Sequence, residues 1–308
     1  METPMTTSTS RITVRPMTDA DDLATLDAGN PLGWMTAWWS TLTESMDLRW
    51  YVALLDGEPA GLGVVCPLPF AQGGYGVGIL NVRPEHRRRG VGTALHAALA
   101  AVVRPELPGI LYQHVEGDAA AEATARAWGF SVVGTHHESV LDLQAVDRTA
   151  YEAMAAAPGV ALDAVDPAVD DRSWRNLYAF VRARFQDAPD AEGGGGDLPF
   201  DAFREMLAEP WQLAAAHDGG RLVGVTLVVA RPGTAGAANT VITGVSPAAR
   251  GRGIATALKA WHALHMAERG ITHVYTQNME GNEPILAANR RLGFVRAAGH
   301  VDVVCSFS

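Results

Sequence analysis

One arrangement of residues occurs twice in this 308-residue chain and restricts its possible folds more than any other feature. Residues 81–95 and 244–258 each contain the end of an apolar strand, a proline-marked turn, an arginine-rich loop with glycines, and the start of an amphipathic helix. The equivalent glycines, Gly90 and Gly253, are 253 − 90 = 163 residues apart. Because such repetition is improbable by chance, the chain is predicted to contain two copies of one structural unit.

Each repeated loop is predicted to bind an anion; we call residues 83–93 the first loop and residues 246–256 the second loop. Hydrophobic periodicity predicts that a helix starts at the glycines of each loop, with Val91 and Ile254 as the first residues of their apolar faces. The first N–H groups of a helix have no internal partner and lie at the positive end of its dipole, so they favour a bound phosphate. The apolar face of the second helix is predicted to comprise Ile254, Ala257, Leu258, Trp261 and Leu264.

Two other kinds of phosphate-binding loop do not match these residues. A P-loop ends in Gly-Lys-Ser or Gly-Lys-Thr, and neither loop contains that sequence. A dinucleotide-binding fingerprint needs a third glycine, but Leu95 stands at that position in the first copy and the second copy already departs at Ala255. One alternative that stays open is that both loops are ordinary strand-to-helix turns of a larger sheet.

The loops resemble the pyrophosphate-binding signature of the GNAT family, the GCN5-related N-acetyltransferases. The matching residues are Arg-x-x-Gly-x-Gly at 87–92 and Arg-x-x-Gly-x-Ala at 250–255. Farther along, Trp-Gly-Phe at 128–130 and Leu-Gly-Phe at 292–294 are similar to the ending of the family's last helix. This resemblance is to tandem, two-domain members of the family, because both halves carry it.

The resemblance implies an α/β fold, of the α+β kind with a mixed sheet, made of two tandem GNAT acyl-CoA N-acyltransferase domains. The size of the chain agrees with two domains. The expected segments are a disordered N-terminus at 1–10, an N-terminal GNAT domain at 11–143, a linker helix at 144–159 and a C-terminal GNAT domain at 160–308. Closing strands are predicted at 139–143 and 301–307.

Composition restricts the possible partners. Hydrophobic residues make up 48% of the chain, so it can form real cores, and a net charge of −10 disfavours nucleic acid and anionic membranes. No apolar stretch is long enough to span a bilayer. Two cysteines, Cys66 and Cys305, provide neither a disulfide framework nor metal-ligand spacing, so no metal is expected. We expect a cytoplasmic protein that is a monomer or homodimer.

The resemblance further implies acetyl-coenzyme A as the cofactor, with its pyrophosphate on the loop amides and its pantetheine arm along the preceding strand. In the family's last helix an asparagine contacts coenzyme A, and that position is Asn282 in the second half and Asp118 in the first. The implied coenzyme A-binding residues are Leu80, Asn81, Val82, Arg87, Arg88, Arg89, Gly90, Val91, Gly92, Thr93, Thr243, Gly244, Val245, Arg250, Gly251, Arg252, Gly253, Ile254, Ala255, Thr256, Asn278, Asn282 and Asn289.

The catalytic groups are not identified by the sequence. The family's usual general acid is a tyrosine, whose positions hold Ala125 and Asn289 here. Because a thiol has a reference pKa of about 8.5, a thiolate can leave without full protonation. A water chain ending on strand carbonyls is the default hypothesis for the base, since residues 237–245 contain no carboxylate. Weaker candidates are Cys305, Asp302, His300 and His217, with a backbone N–H near Val245 for the oxyanion.

The predicted function is acetyl-CoA-dependent transfer of an acetyl group to a primary amine of a small molecule, with the second half the better candidate for catalysis. Asp187, Asp190, Glu192 and Asp197 flank a run of four glycines and are either part of a site for a cationic amine or a solvated loop. The alternative function is a non-catalytic, regulatory protein that binds acyl-CoA. Tryptophans 34, 38, 39 and 50 are predicted mainly to pack in a core.

Overall fold

The computed structural model describes residues 11–42, 46–67, 74–166, 168–187, 198–207 and 209–307. Within them, thirteen strands form one mixed sheet. The strands are β1 Ile12–Pro16, β2 Arg49–Leu55, β3 Glu58–Cys66, β4 Gly76–Val82, β5 Gly109–Val115, β6 Ser131–Asp142, β7 Ala161–Ala164, β8 Leu213–Asp218, β9 Arg221–Ala230, β10 Ala237–Val245, β11 His273–Met279, β12 Val295–Arg296 and β13 His300–Ser306.

Nine α-helices in the described part of the chain cover the sheet. They are α1 Leu23–Leu26, α2 Gly33–Trp39, α3 Val91–Val103, α4 Ala119–Ala127, α5 Arg148–Ala156, α6 Asp171–Phe185, α7 Phe200–Glu205, α8 Ile254–Ala267 and α9 Glu283–Arg291. None of the described helices is long and apolar enough to cross a membrane. The predicted strand, loop and helix order is confirmed in both halves around α3 and α8.

The sheet shows the repeat directly. Its strand order is β1-β2-β3-β4-β5-β13-β6-β11-β10-β9-β8-β7, with β12 beside β6. The pairs β4–β5 and β10–β11 are parallel, and the other pairs are antiparallel. Each parallel pair is joined through the helix that follows a repeated loop, as a parallel pair requires a crossover connection.

The two halves exchange their closing strands. The last strand, β13, lies between β5 and β6, where His300 to Ser306 pair with Val115 to Gly109. Strand β6 in turn pairs with β11 of the second half, from His136 opposite Met279 to Asp142 opposite His273. The closing strand predicted at 139–143 therefore begins earlier, at Ser131, because its first part pairs with β13 and its second part with β11. Each half is completed by a strand from the other.

The helix predicted as a linker packs on the second half. Tyr151 of α5 donates a hydrogen bond to the Leu292 carbonyl oxygen at 2.5 Å, and Arg148 forms an ion pair with Glu268 at 2.8 Å. Tyr151 also lies in the apolar cluster that contains Met266 and Phe294. Residues 144–159 thus cover α8 and contribute to its burial.

A second apolar cluster joins the halves on the other face of the sheet. Trp39 of α2 belongs to the same cluster as Trp174 of α6 and Phe203 of α7. The predicted core role is confirmed for Trp39, which is buried, and the other three tryptophans are partly buried against this cluster. Burial of such large rings supplies much of the stabilising apolar area.

The buried face of α8 differs from the predicted one. Ile254, Ala257 and Leu258 are buried as expected, whereas Trp261 and Leu264 are only partly covered. Lys259 and His262 are buried instead. The reason is that α8 is covered by the sheet on one side and by α5 on another, so its buried surface is wider than one amphipathic stripe.

The strand exchange predicts that the halves do not fold separately. Residues 1–143 expressed alone lack β11, β12 and β13, which leaves one edge of β5 and the whole of β6 without their partners, so we expect aggregation. Co-expression of residues 1–143 with 144–308 is expected to give a soluble complex with one cooperative thermal transition. Size-exclusion chromatography and circular dichroism measure this. A monomeric, cooperatively melting 1–143 fragment would contradict the prediction.

Candidate active site

The two loops adopt the same backbone conformation. Each contains a short 3-10 turn, Pro84–His86 or Pro247–Ala249, and ends at a glycine with positive φ. Gly90 has φ 86° and Gly253 has φ 79°, and each is the N-cap of the following helix without any side-chain cap. Such φ values favour glycine, which explains its presence at both positions.

In the second loop, the six consecutive backbone N–H groups of residues 251–256 have no hydrogen-bond partner among the described residues. In the first loop, the same holds for Arg88 and for residues 90–93. The first helical bonds come only afterwards, from Ala94 N–H to the Gly90 oxygen at 3.1 Å and from Ala257 N–H to the Gly253 oxygen at 3.0 Å. A row of unpaired donors at a helix N-terminus is suited to bind a phosphate or pyrophosphate.

The loop arginines mainly fix the loop conformation. Arg87 Nε donates to the Val82 oxygen at 2.9 Å, and Arg250 Nε donates to the Val245 oxygen at 3.2 Å. Each anchors its loop to the end of the preceding strand. Two further pairs tie the loops to the hairpin turns, Arg89 with Asp56 at 3.4 Å and Arg252 with Asp218 at 2.6 Å.

An acidic side chain reaches the second loop. Asp187 Oδ2 is 2.5 Å from an Arg250 terminal nitrogen and 2.8 Å from Arg184 Nε. The sequence left open whether Asp187 belongs to a site for a cationic amine or to a solvated loop. In the structure its carboxylate is paired with the guanidinium groups of Arg184 and Arg250. The other acidic residues of that stretch, Asp190, Glu192 and Asp197, lie outside the described residues together with the four glycines.

The strand before each loop separates from its parallel neighbour. Strand β10 pairs with β11 only from Ala237 to Thr240, and β4 pairs with β5 only from Gly76 to Gly78. Residues 79–82 and 241–245 thus have no parallel partner strand among the described residues. In addition, β10 has a bulge between Thr240 and Ile242, whereas the pairing of β3 with β4 has no register shift. We call the space beside the unpaired residues 79–82 of β4 the first opening and the space beside residues 241–245 of β10 the second opening. The second opening begins at a bulge, and bulges are common next to active sites.

Aromatic side chains fill the space beside α3 in the first half. His96 stacks on Trp128 with ring centroids 5.3 Å apart, and Phe130 stacks on Tyr112 at 5.7 Å. His96 Nδ1 lies 3.0 Å from the Tyr112 hydroxyl oxygen. Burial raises the pKa of Tyr112 and lowers that of His96. The first opening is therefore occupied by packed rings.

The catalytic candidates on the last strand lie away from the second loop, because that strand is exchanged. Cys305 pairs with Ile110 of β5, and its sulfur is 3.6 Å from His96 Nε2. Burial raises the pKa of the Cys305 thiol. Asp302 accepts from Gln113 at 2.9 Å and is 2.9 Å from His136 Nε2.

Two histidine candidates also have structural partners. His300 Nε2 lies 3.1 Å from Gln277 Nε2, and burial lowers the pKa of His300. His217 is on β8 near the outer edge of the sheet, 3.4 Å from Asp163. Neither histidine is on the strands that separate at the second opening.

The second half has a lysine where the first has His96. Lys259 occupies the position 163 residues after His96, and its side chain is buried with 6% of its surface exposed. Its ammonium has no hydrogen-bond partner among the described residues and lies 4.7 Å from the centre of the Phe294 ring. Burial lowers the pKa of Lys259 to about 7.

Lys259 lines a cavity of about 10 Å³ between α8 and the sheet. Thr226, Thr240 and His262 also line it. The Thr226 hydroxyl is 2.9 Å from that of Thr243, farther along β10. Polar side chains therefore continue from the cavity into the separated part of the strand.

The asparagines of the second half that were predicted to bind coenzyme A have different environments. Asn289 is 2% exposed and donates to Asn278 Oδ1 at 2.7 Å, while its own Oδ1 lacks a partner. Asn282 is the N-cap of α9 but its side chain makes no capping bond. Its counterpart Asp118 caps α4 and accepts from Ala120 and Ala121 at 3.0 Å.

Sequence reasoning did not single out Lys259 or its threonine neighbours. The available signal was the spacing of Thr256, Lys259, Ala263 and Met266, which defines a second stripe on α8. Asn81, in contrast, was singled out and is buried, where its amide donates to the carbonyl oxygens of Leu26 and Ala28.

Comparison with known proteins agrees with this architecture. The model of the acetyltransferase (GNAT) family matches residues 19–130 and again residues 174–294. The chain therefore belongs to the GNAT acetyltransferase family, and it is a tandem member, since both halves match. It is an N-acetyltransferase by this membership.

Curated relatives and a solved structure resemble this chain over most of its length. Mycothiol acetyltransferases of Thermomonospora curvata and Cellulomonas flavigena are 32% and 34% identical. The matches cover 83% and 73% of this chain, and 81% and 65% of those proteins. A tandem GNAT protein from the clavulanic acid biosynthesis pathway has a similar fold, with TM-score 0.71 at 22% identity over 96% of this chain and 98% of that one.

The ion pair between Asp187 and Arg250 is expected to oppose anion binding. Asp187→Asn removes a negative charge from the second loop, so we expect coenzyme A to bind about two- to fivefold more tightly, as for a partly exposed ion pair. Isothermal titration calorimetry measures the dissociation constant. The control is Asp171→Asn, which removes an ion pair between two residues of α6, Asp171 and Arg175. Weaker binding by Asp187→Asn would show that the pair instead positions Arg250.

Proposed function

We propose that the protein transfers the acetyl group of acetyl-coenzyme A to the amine of a small molecule, with the reaction in the second half. The observation that carries this proposal is the combination found there: unpaired N–H groups at 251–256, a strand that separates at a bulge, and polar side chains at the start of the opening. The first half has the same loop, but aromatic rings fill its opening.

The residues around the second loop fit coenzyme A. The N–H groups of residues 251–256 would hold the pyrophosphate, since nothing lies within 4 Å of a Cβ built at Gly251 or Gly253. The free edge of β10 from Val241 to Val245 would pair with the pantetheine arm. Asn278, Asn282 and Asn289 would line the other side. When bound, acetyl-coenzyme A supplies an activated acetyl group as a thioester.

The strand edge also offers a way to stabilise negative charge. A backbone N–H in residues 241–245, near Val245 by the sequence argument, would donate to the thioester oxygen as it becomes negative. Glycine is required at position 244, where β10 faces α6, because a Cβ there would lie 2.5 Å from Arg184 Cβ. The crossing of α6 over β10 thus fixes the strand that would carry this donor.

The relatives support a small polar acceptor. They are named mycothiol acetyltransferases, and we propose an acceptor amine of the kind that those enzymes acetylate. In this proposal the acceptor lies across the sheet from α8. Partly buried groups that lie near the second opening on that face include Arg231, Tyr275 and Gln277, and the Arg231 guanidinium is 3.9 Å from the Tyr275 ring centre.

A non-catalytic function is the second candidate. Ala125 and Asn289 occupy the positions of the family's tyrosine acid, and Asn289 is paired with Asn278. A regulatory protein that binds acyl-CoA would melt at a higher temperature with acetyl-coenzyme A and would release no thiol with any amine.

Gly253→Glu tests the proposed function. It places a carboxylate beside the unpaired N–H groups, so we expect loss of acetyl-coenzyme A binding and of amine-dependent thiol release. Binding is measured by calorimetry and thiol release with a colorimetric reagent across an amine library. Gly253→Ala is the matched control, because it has the same unfavourable φ without the charge and should keep most activity.

Gly90→Glu makes the same change in the first loop. With one binding site per chain in the second half, it should leave both binding and thiol release unchanged. Activity that survives Gly253→Glu but is lost in Gly90→Glu would place the reaction in the first half. A stoichiometry of two coenzyme A molecules per chain would contradict a filled first opening.

A further inference from the structure

The buried amine of Lys259 has a position that packing alone does not explain. A cation in an apolar interior costs free energy unless it is paired, and this ammonium has a ring contact but no hydrogen bond to any residue that the structure describes. His96, at the equivalent place in the first half, has a hydroxyl partner at 3.0 Å. Lys259 therefore has donor capacity left for a group that arrives in the site.

The cavity beside Lys259 lies where the second opening starts. Thr240, which lines it, is the last residue of β10 paired with β11, opposite Thr276. A ligand arm that starts at the second loop and follows the free edge of β10 from Val245 to Val241 is directed to this cavity. In the proposed function that ligand arm is the pantetheine arm, whose far end carries sulfur.

We propose that Lys259 is the proton donor to the sulfur that leaves from the thioester, in place of the family's tyrosine. This inference rests on the proposed function. The threonine hydroxyls and one water molecule, for which a cavity of about 10 Å³ has room, would connect the amine to the opening.

The step balances without any additional reactant. The acceptor nitrogen bonds to the acetyl carbon, the carbon–sulfur bond breaks, and its electron pair goes to sulfur. Lys259 Nζ gives that sulfur a proton. The acceptor nitrogen loses one proton to water and Lys259 later takes one from water, so an amide and a free thiol form from a neutral amine and a thioester.

The surroundings of Lys259 suit proton transfer near neutral pH. Residues from the sheet and from the end of α9 that face it in the cavity are uncharged: Leu141, Thr226, Val228, Thr240, Val274 and Phe294. His262, on α8, is the titratable neighbour among the described lining residues. Burial lowers its pKa to about 4, so it is neutral above that pH, and its Nε2 is 2.5 Å from the Trp211 oxygen.

Lys259→Met tests the proposal with one variant that retains the volume and removes the charge. Because the variant no longer buries an unpaired cation, its melting temperature should be higher than that of the wild type. The wild-type excess cost is present at pH values below the ordinary lysine pKa, so the difference in melting temperature should be larger at neutral than at alkaline pH.

The kinetic prediction follows because the protonated form of Lys259 is the active form in this proposal. In the wild type, kcat should fall as the pH rises through the Lys259 pKa, about 7 in the free protein. In Lys259→Met, kcat should be about 100-fold lower, KM for acetyl-coenzyme A should be nearly unchanged, and this alkaline decrease should be absent. His96→Met, at the equivalent position of the first half, should keep the wild-type kcat and pH profile.

A third readout does not depend on turnover. An ammonium near a thiol favours the thiolate, so the ultraviolet thiolate absorbance of bound coenzyme A should appear at lower pH in the wild type than in Lys259→Met. Equal thiol titration in both proteins, an unchanged kcat profile, or acetylation of Lys259 itself found by peptide mass mapping would overturn the proposal.

The two hypotheses fail in different ways. Absence of thiol release by the wild type with every amine would reject the proposed function, while the thiol titration would still decide whether Lys259 contacts the sulfur. Turnover by the wild type together with unchanged Lys259→Met would reject only the role of Lys259.

Discussion

The pairing of β13 between β5 and β6 is the constraint on which the rest of the structure depends. It removes an unpaired edge from the first half, and the matching insertion of β6 beside β11 does the same for the second. The two insertions are mutually dependent, because β6 contacts β13 with its first part and β11 with its second. Two separate sheets thereby become one sheet, and α2 is brought against α6 and α7 across the join.

The same constraint separates two sites that have nearly identical loops. Both loops present unpaired N–H groups of described residues at a helix N-terminus because a glycine with positive φ starts each helix, and that local geometry is independent of what packs nearby. What lies beyond the loops differs. In the first half, His96 and Trp128 stack beside α3, and the exchanged strand adds Cys305. In the second half, Lys259 and threonine hydroxyls surround a small cavity at the start of a bulged opening.

The burial of Lys259 costs stability, and in the proposed reaction it serves proton transfer to the sulfur. Lys259 lies between α8 and the sheet and has no hydrogen-bond partner in the part of the chain that the structure describes, and α5, which covers α8 on another side, keeps that helix buried. The free energy lost by burying the amine is offset by the surrounding apolar contacts of the cluster around Phe294 and Met266. Preorganisation of this kind gives the amine a pKa near neutrality, which suits a proton donor.

The sequence by itself determined the family, the tandem form and the two loops, because these depend on local signals: glycines where φ is positive, arginines that reach back to the preceding strand, and helical periodicity. Only the tertiary structure decided which strands close each half, since β6 and β13 have no local signal for their partner. It likewise decided that His96 packs among rings while Lys259 remains unpaired, because burial depends on all the elements that surround a side chain.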